Sequence, residues 1–185
     1  LEETMGALAT AVQQGKALYV GLSNYDGKTL SQAAAILKDL KCPFVINQNR
    51  YSIFDRTVEK NGLKRTTGIL KKGLITFSPL DQGQLTDRYL NGIPEDSRIR
   101  KDGRFLKERV LTPERLDQIR RLNDLAAQRG EKLADMALGW LLQHKEVTSV
   151  LIGASKPQQI LDNVKAIHCA PFTAEELRLI DEISK

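Results

Sequence analysis

Small and polar side chains follow directly after four short apolar runs in this sequence. The residues at these points are Ser23-Asn24, Gln48, Ser78 and Gly153-Ala154-Ser155. Hydroxyl and amide groups both donate and accept hydrogen bonds, and small residues let a ligand come close to the backbone. Turns are polar in most proteins, so the pattern by itself indicates no more than a site for a polar small molecule.

One of these points also has the chemistry of an anion site. Ser155 and Lys156 stand between an apolar run and a predicted helix that begins at Pro157. A helix N-terminus carries partial positive charge and free backbone N–H groups. A hydroxyl and an ammonium group at that position favour a phosphate as the ligand.

Nucleophiles and metal ligands show no spacing that indicates a catalytic or metal site. Cys42 and Cys169 lack a CxxC or Cys/His pattern, and we expect both to be reduced, packed thiols. His144 and His168 lie far apart in the sequence, with no acid or nucleophile beside either one. We therefore expect both histidines to have surface or packing roles, and we predict no metal site.

The elements that position these residues alternate between strands and helices. The apolar runs predict strands at Ala17–Leu22, which we expect to be buried on both faces, at Phe44–Asn47, also buried, and at Leu74–Phe77 and Ser149–Ile152. Helical spacing predicts helices between Leu1 and Gly15, over Leu30–Leu37, within Val58–Lys71, and over Thr112–Arg129, Leu133–Leu141, Pro157–Ala166 and Thr173–Ser184. This alternation is typical of parallel α/β folds, which bind ligands at the carboxyl ends of their strands.

Composition excludes several other classes of protein. The 185 residues carry a net charge of +5, but their Lys and Arg are dispersed among acids and only 5% of residues are aromatic. These features argue against a nucleic-acid-binding surface. No apolar stretch approaches the roughly 20 residues of a membrane span, and the first residues do not resemble a signal peptide. We expect a cytoplasmic protein and, because the chain begins with Leu1 rather than Met, further residues upstream.

Three stretches together carry a family resemblance. They are GKALYVGLSNY (Gly15–Tyr25), TFSPLDQGQLTDRYLNGIPEDSR (Thr76–Arg98) and VTSVLIGASKPQQILDNVKAI (Val147–Ile167). In this order they resemble the C-terminal half of the aldo-keto reductases, in the branch of the bacterial glyceraldehyde-3-phosphate reductases and the potassium-channel β subunits. The resemblance implies an eight-stranded (β/α) barrel of the TIM type, with residues 1–185 as the C-terminal half of one barrel domain. The chain would cover about the last four βα units and the C-terminal helix.

The resemblance also implies an oxidoreductase that uses NADPH to reduce small aldehydes or ketones. By position, Ser23, Asn24 and Gln48 match residues that hold the nicotinamide carboxamide, and Phe77 matches the aromatic that stacks on the nicotinamide ring. The pyrophosphate loop is matched by Ser78, Pro79, Leu80, Gln82, Gly83, Arg88 and Arg98. The site of the adenosine and its 2′-phosphate is matched by Gly153, Ser155, Lys156, Gln159, Asp162 and Asn163.

Two acidic residues depart from the family pattern. Asp81 stands where this branch usually has a small apolar residue, and Asp96 replaces what is often an aromatic. A carboxylate beside a pyrophosphate would repel it, unless the carboxylate turns away or pairs with Arg88 or Lys156.

The family's catalytic Tyr, Lys, Asp and His all precede the position that matches Leu1. No catalytic residue is assigned here, because Tyr19 is predicted inside a buried strand and Tyr25 lies in a turn without a Lys/Asp partner set. Half a barrel would leave two open sheet edges. Three alternatives therefore stand: part of a longer enzyme, a half-barrel completed as a homo-oligomer, or a truncated product. The last would be inactive or would serve as a non-catalytic NADPH-binding or regulatory module.

Overall fold

The computed structural model describes residues 1–95 and 110–185, which group into two compact units. The first, here the strand unit, comprises Leu1–Tyr51, Arg56–Phe77 and His144–Leu151. The second, here the helical unit, comprises Ser52–Asp55, Ser78–Gln143 and Ile152–Lys185.

The strand unit contains a parallel sheet whose strands are neighbours in chain order. The strands are β1 (Val20–Ser23), β2 (Phe44–Arg50), β3 (Gly73–Phe77) and β4 (Val147–Val150). They pair in the order β1-β2-β3-β4, and each pair is parallel. Successive βα units produce this order, since each crossover returns the chain to the edge beside the previous strand. The predicted parallel α/β class is confirmed.

The prediction from the apolar run, that β1 is buried on both faces, was wrong, because β1 is buried on one face only. In β1, Val20 and Leu22 are buried whereas Gly21 and Ser23 are exposed. A sheet that is covered on one face buries alternate residues, because successive side chains point to opposite faces. The predicted strand also began too early, at Ala17 rather than Val20.

Helices of the strand unit are α1 (Glu2–Gln13), α2 (Gly27–Asp39), α3 (Thr57–Lys60) and α4 (Leu63–Leu70). The Asp26 carboxylate caps α2 by accepting a hydrogen bond from the Thr29 N–H at 2.7 Å. The helix predicted within Val58–Lys71 is divided into α3 and α4. Gly62, with φ of 78°, turns the chain at the point of division.

The helical unit contains α5 (Pro113–Gln128), α6 (Leu133–Leu142), α7 (Pro157–Val164) and α8 (Ala174–Ser184). Short 3₁₀ turns occupy Asp81–Gly83, Asp87–Tyr89 and Lys165–His168. Two predicted helix starts are confirmed. The Thr112 hydroxyl accepts from the Arg115 N–H at 3.2 Å, and Thr173 and Glu176 form a reciprocal capping box.

A buried arginine joins three segments of the helical unit. Arg129 forms ion pairs with Glu131 at 3.1 Å and with Glu176 at 2.7 Å. It also donates to the Ala170 carbonyl at 2.7 Å and lies over the Phe172 ring, 4.0 Å from its centroid. The guanidinium thus ties the end of α5 to the start of α8, using several donors at once as only arginine can.

The predicted place of Trp140 in the core is confirmed. Trp140 is 2% exposed and belongs to the core, as its helical spacing predicted. No helix in the described part of the chain has both the length and the apolar character needed to cross a bilayer.

Candidate functional site

Three predicted site residues meet at the carboxyl ends of β1 and β2. Ser23 is the register partner of Gln48, and its hydroxyl donates to the Gln48 carbonyl at 3.0 Å. The Asn24 N–H donates to the same carbonyl at 2.9 Å. Asn24 has φ of 60°, a left-handed conformation that asparagine tolerates better than most residues. Ser23, Asn24 and Gln48 are here called the amide cluster.

The side-chain amides of this cluster are available to a ligand. Asn24 is exposed and Gln48 is half-buried, and within the described residues neither side-chain amide makes a hydrogen bond. Each amide supplies a carbonyl acceptor and an N–H₂ donor. Together these donors and acceptors are complementary to a carboxamide group, which needs one acceptor and one donor fixed at a single edge.

Phe77 ends β3 and is half-buried. Its carbonyl accepts from the Tyr51 N–H at 3.4 Å, which joins the carboxyl ends of β2 and β3. A partly exposed aromatic ring at a strand end can stack on a flat heterocycle. Phe77 belongs to the strand unit, as does the amide cluster.

Five of the predicted pyrophosphate residues lie in a tightly turned loop of the helical unit, residues 78–85, here the 78–85 loop. Positive φ angles occur at Ser78 (52°), Asp81 (45°), Gln82 (60°) and Gly83 (94°). The Gln82 side chain donates to the Ser78 hydroxyl at 3.0 Å. Leu80 accepts from the Gly83 N–H at 2.9 Å, whereas Pro79 is buried. Backbone N–H groups of a tight turn can converge on one concave side, an arrangement that suits an anion.

Asp81 in this loop turns into the protein. It is 5% exposed, and its carboxylate accepts from the Gln84 side-chain amide at 2.7 Å. The carboxylate is therefore directed away from solvent. The sequence analysis expects no repulsion of a phosphate when the carboxylate turns away in this manner.

The predicted adenosine-phosphate residues surround the start of α7. The Gln159 side-chain oxygen accepts from the N–H groups of Ser155 at 2.8 Å and Lys156 at 3.1 Å, and from the Ser155 hydroxyl at 3.2 Å. Gly153 and Lys156 are exposed, and Lys156 forms no ion pair within the described residues. The turn is thus preorganised by Gln159, while the ammonium group is left for a ligand.

Asp162 faces its own helix rather than this turn. Its carboxylate accepts from Lys165 at 2.7 Å and from Gln158 at 3.1 Å. The hydrogen bond from Lys165 is the main reason that the pKa of Asp162 is lowered. Asn163 is half-buried on the same helix. The predicted cofactor roles of these two residues stay predictions.

The remaining predicted residues lie beyond the 78–85 loop. The Arg88 N–H donates to the Thr86 hydroxyl at 3.2 Å, and the side chain of Arg88 is half-buried. Arg98 and Asp96 lie outside the described residues.

The sequence missed a cluster of acid–base groups around the buried Tyr51 in the strand unit. Tyr51 donates to Glu59 and stacks on the ring of His144, with 5.6 Å between ring centroids. Lys64 lies 2.9 Å from His144 Nδ1. The prediction that no acid or nucleophile accompanies His144 was therefore wrong, because the partners come from distant parts of the chain and leave no local spacing.

This cluster does not have the properties of a catalytic site. Tyr51 is fully buried, so that no substrate can reach its hydroxyl. Burial and the hydrogen bond to Glu59 raise its pKa, the opposite of what a proton donor near neutral pH requires. His144 has a packing role, as predicted.

Other candidate residues also fail to form a reactive centre. Tyr19 is 63% exposed and lies just before β1, so the prediction that a buried strand contains it was wrong. Cys42 and Cys169 are free thiols, and burial raises the pKa of each, to about 11 for Cys169. Among the described residues, no three His, Cys, Asp or Glu side chains group as metal ligands would.

Comparison with known proteins decides the family. The model of the "Aldo/keto reductase family" matches residues 1–185. The chain belongs to the aldo/keto reductase family. It is 46% identical over 185 residues to the L-glyceraldehyde 3-phosphate reductase of Escherichia coli K12. It is 36% identical over 189 residues to a putative voltage-gated potassium channel subunit beta of Schizosaccharomyces pombe.

A solved structure supports the fold of this aldo/keto reductase chain. A thermostable aldo-keto reductase, crystallised with the inhibitor epalrestat, matches 98% of the chain with a TM-score of 0.71 and 27% identity. The chain covers 54% of that structure, 54% of the E. coli relative and 55% of the S. pombe relative. It thus spans about half the length of the proteins it matches, with the parallel βα architecture that the barrel resemblance implied.

Proposed function

We propose that this chain supplies the NADPH-binding residues of an oxidoreductase that reduces small aldehydes or ketones. The observation that carries the proposal is the amide cluster. Two side-chain amides that make no hydrogen bond within residues 1–95 and 110–185 lie at adjacent strand ends in a chain of the aldo/keto reductase family. The proposal treats residues 1–185 as the C-terminal half of one barrel domain in a cytoplasmic protein.

In this proposal, the strand unit holds the nicotinamide. Asn24 and Gln48 would hydrogen-bond the carboxamide, with Ser23 fixing the Gln48 carbonyl, and Phe77 would stack on the ring. NADPH, when bound, supplies the hydride. Holding the ring by its carboxamide and one face fixes which side of the ring meets the carbonyl substrate.

The helical unit would hold the phosphates. The 78–85 loop, Arg88 and Arg98 are proposed for the pyrophosphate, and Ser155 and Lys156 for the 2′-phosphate. Gln159 already accepts from both N–H groups of the turn, so its role would be to keep that turn in place. Because the Lys156 ammonium stands at the start of α7 without an ion pair in the described part of the chain, the phosphorylated cofactor is favoured over NADH.

Lys156→Ala tests the assignment of cofactor. We expect the affinity for NADPH to fall about tenfold and the affinity for NADH to change little, since only NADPH has the phosphate that Lys156 would contact. Isothermal titration calorimetry with both cofactors measures this difference. Lys145→Ala is the matched control, because it removes an exposed lysine to which no contact with the cofactor is assigned. Equal losses for the two cofactors would remove Lys156 from the site.

A second candidate is a non-catalytic NADPH-binding or regulatory module. The observation that favours it is the 36% identity, over 99% of this chain, to a protein described as a channel subunit beta. Saturable NADPH binding without oxidation of NADPH by any of a panel of small aldehydes would support this candidate. Turnover by the chain would exclude it, and absence of NADPH binding would leave an inactive truncated product.

A further inference from the structure

The 78–85 loop adopts a backbone conformation that needs support from outside the loop. Ser78, Asp81 and Gln82 have φ between 45° and 60°, and none of them is glycine. Non-glycine residues persist in this region only where the surrounding structure determines their conformation. Internal hydrogen bonds close the turn, among them Asp81 N–H to Ser78 at 3.0 Å and Leu85 N–H to Leu80 at 3.1 Å.

Asp81 and Gln84 provide part of that support. The Gln84 side-chain amide donates both to the Asp81 carboxylate at 2.7 Å and to the Asp81 backbone carbonyl at 3.2 Å. Both residues are buried, with 5% and 2% of their surfaces exposed. One amide therefore holds both the side chain and the backbone of the residue at the centre of the strained turn.

Arg115 brings a positive charge to this carboxylate. It lies in the first turn of α5, with its guanidinium 3.8 Å from the centroid of the Phe54 ring. Its Nη1 is buried and has no hydrogen-bond partner within the described residues. Burial lowers the pKa of Arg115, and the charge of Asp81 opposes that shift. A buried carboxylate and a half-buried guanidinium therefore offset part of each other's desolvation.

We propose that Asp81 and Gln84, here with the compensating charge of Arg115 called the Asp81 cluster, are positioning residues that hold the 78–85 loop in its cofactor-binding conformation. The proposal rests on the proposed function for the loop's ligand. It reverses the simplest expectation from charge, namely that a carboxylate in a pyrophosphate loop weakens anion binding. Here the carboxylate acts on the loop and faces away from the anion.

Loop positioning by Asp81 and phosphate repulsion by Asp81 predict effects of opposite sign on NADPH affinity. If Asp81 positions the loop, Asp81→Ala weakens NADPH binding about tenfold, because the turn loses a charge-assisted hydrogen bond. Asp81→Asn, which keeps an acceptor for Gln84, loses about threefold. If Asp81 repels the phosphates, both substitutions tighten binding. Asp87→Asn is the matched control, since it removes an exposed carboxylate from the same segment.

A second measurement needs no cofactor. Amide hydrogen exchange of residues 78–85 is compared among the 185-residue chain, Asp81→Asn, Arg115→Gln and the double variant. We expect faster exchange in each single variant. The increase in exchange rate of the double variant should be much smaller than the product of the two single increases, since the residues act on one interaction. Asp81→Asn replaces only one carboxylate oxygen with an amide nitrogen, so both measurements can still be made on it if Asp81→Ala does not fold.

The outcomes separate this proposal from the proposed function. Faster exchange together with weaker NADPH binding supports the Asp81 cluster. Faster exchange in a chain that binds no NADPH supports loop positioning and removes the proposed function. Unchanged exchange, or tighter NADPH binding in the Asp81 variants, overturns the Asp81 cluster even where the chain binds NADPH.

Discussion

His144 occupies a position that disfavours its protonated form. Burial and the neighbouring ammonium of Lys64 lower its pKa from 6.5 to about 4. Arg56 acts in the same direction, whereas Glu59 and Glu146 oppose the shift. An unfolded histidine takes up its proton near pH 6.5, so between pH 6.5 and 4 the unfolded chain binds more protons than the folded chain. Acidification through this window therefore lowers the free energy of unfolding.

His144→Phe should flatten that dependence on pH. Phenylalanine keeps a ring to stack on Tyr51 but cannot take up a proton. We expect the slope of unfolding free energy against pH, between pH 6.5 and 4, to fall by at most about 1 kcal/mol per pH unit. Urea titrations at several pH values measure the slope. His168→Phe is the control, because His168 is exposed, and identical slopes for the wild type and His144→Phe would contradict the prediction.

Among the elements, α2 and α4 approach each other closely because two glycines lie between them. The Gly27 N–H donates to the Asn61 carbonyl at 3.1 Å. A Cβ on Gly27 would lie 2.5 Å from the Gly62 carbonyl oxygen and 2.8 Å from the Thr66 hydroxyl. A carbon cannot approach an oxygen this closely, and the contact with the Gly62 carbonyl can be relieved only by movement of the backbone.

Gly27→Ala should therefore destabilise the strand unit, by about 2 kcal/mol, through overpacking. Gly6→Ala is a control of opposite sign. Gly6 lies within α1 with no atom near its missing Cβ, so alanine there should stabilise by about 0.5–1 kcal/mol. Thermal unfolding of the two variants, read by circular dichroism, tests the pair. A Gly27→Ala chain as stable as the wild type would show that the helices can separate at little cost.

Element order and local caps could be predicted from the sequence because they depend on neighbouring residues. Thr112 and Thr173 cap their helices through groups three residues away, and both predictions are confirmed. The meeting of Ser23 with Gln48 also follows from sequence, since consecutive parallel strands lie side by side. The function of that pair remains a prediction.

Contacts between residues that lie far apart in the sequence could not be predicted. His144 contacts Lys64, 80 positions away, and no local pattern records that contact. The inward orientation of Asp81 could not be predicted from sequence, because the charge of Arg115, 34 positions away, acts on it only in the fold. Leu18 looked like part of a strand but is 81% exposed, since apolar character does not reveal which surface will cover a residue.

At the scale of the whole molecule, apolar groups remain exposed in both units. In the strand unit, β1 and β4 each pair on one side only within the described residues, which leaves two sheet edges. In the helical unit, Ile160, Leu161, Val164 and Ile167 are at least half exposed along α7 and the turn after it. Contiguous apolar surface of this kind favours association with another protein surface.

The 185-residue chain should consequently self-associate as its concentration rises, and Leu161→Lys should weaken that association. Leu161 is 61% exposed, so burying it between two copies would contribute on the order of 2 kcal/mol, and a lysine should raise the dissociation constant at least about tenfold. Sedimentation velocity across a concentration series measures the change. Gln158→Lys adds the same charge to α7 without removing apolar surface. If both variants associate as the wild type does, the apolar side of α7 is not what joins the copies, and the open sheet edges become the remaining source of association.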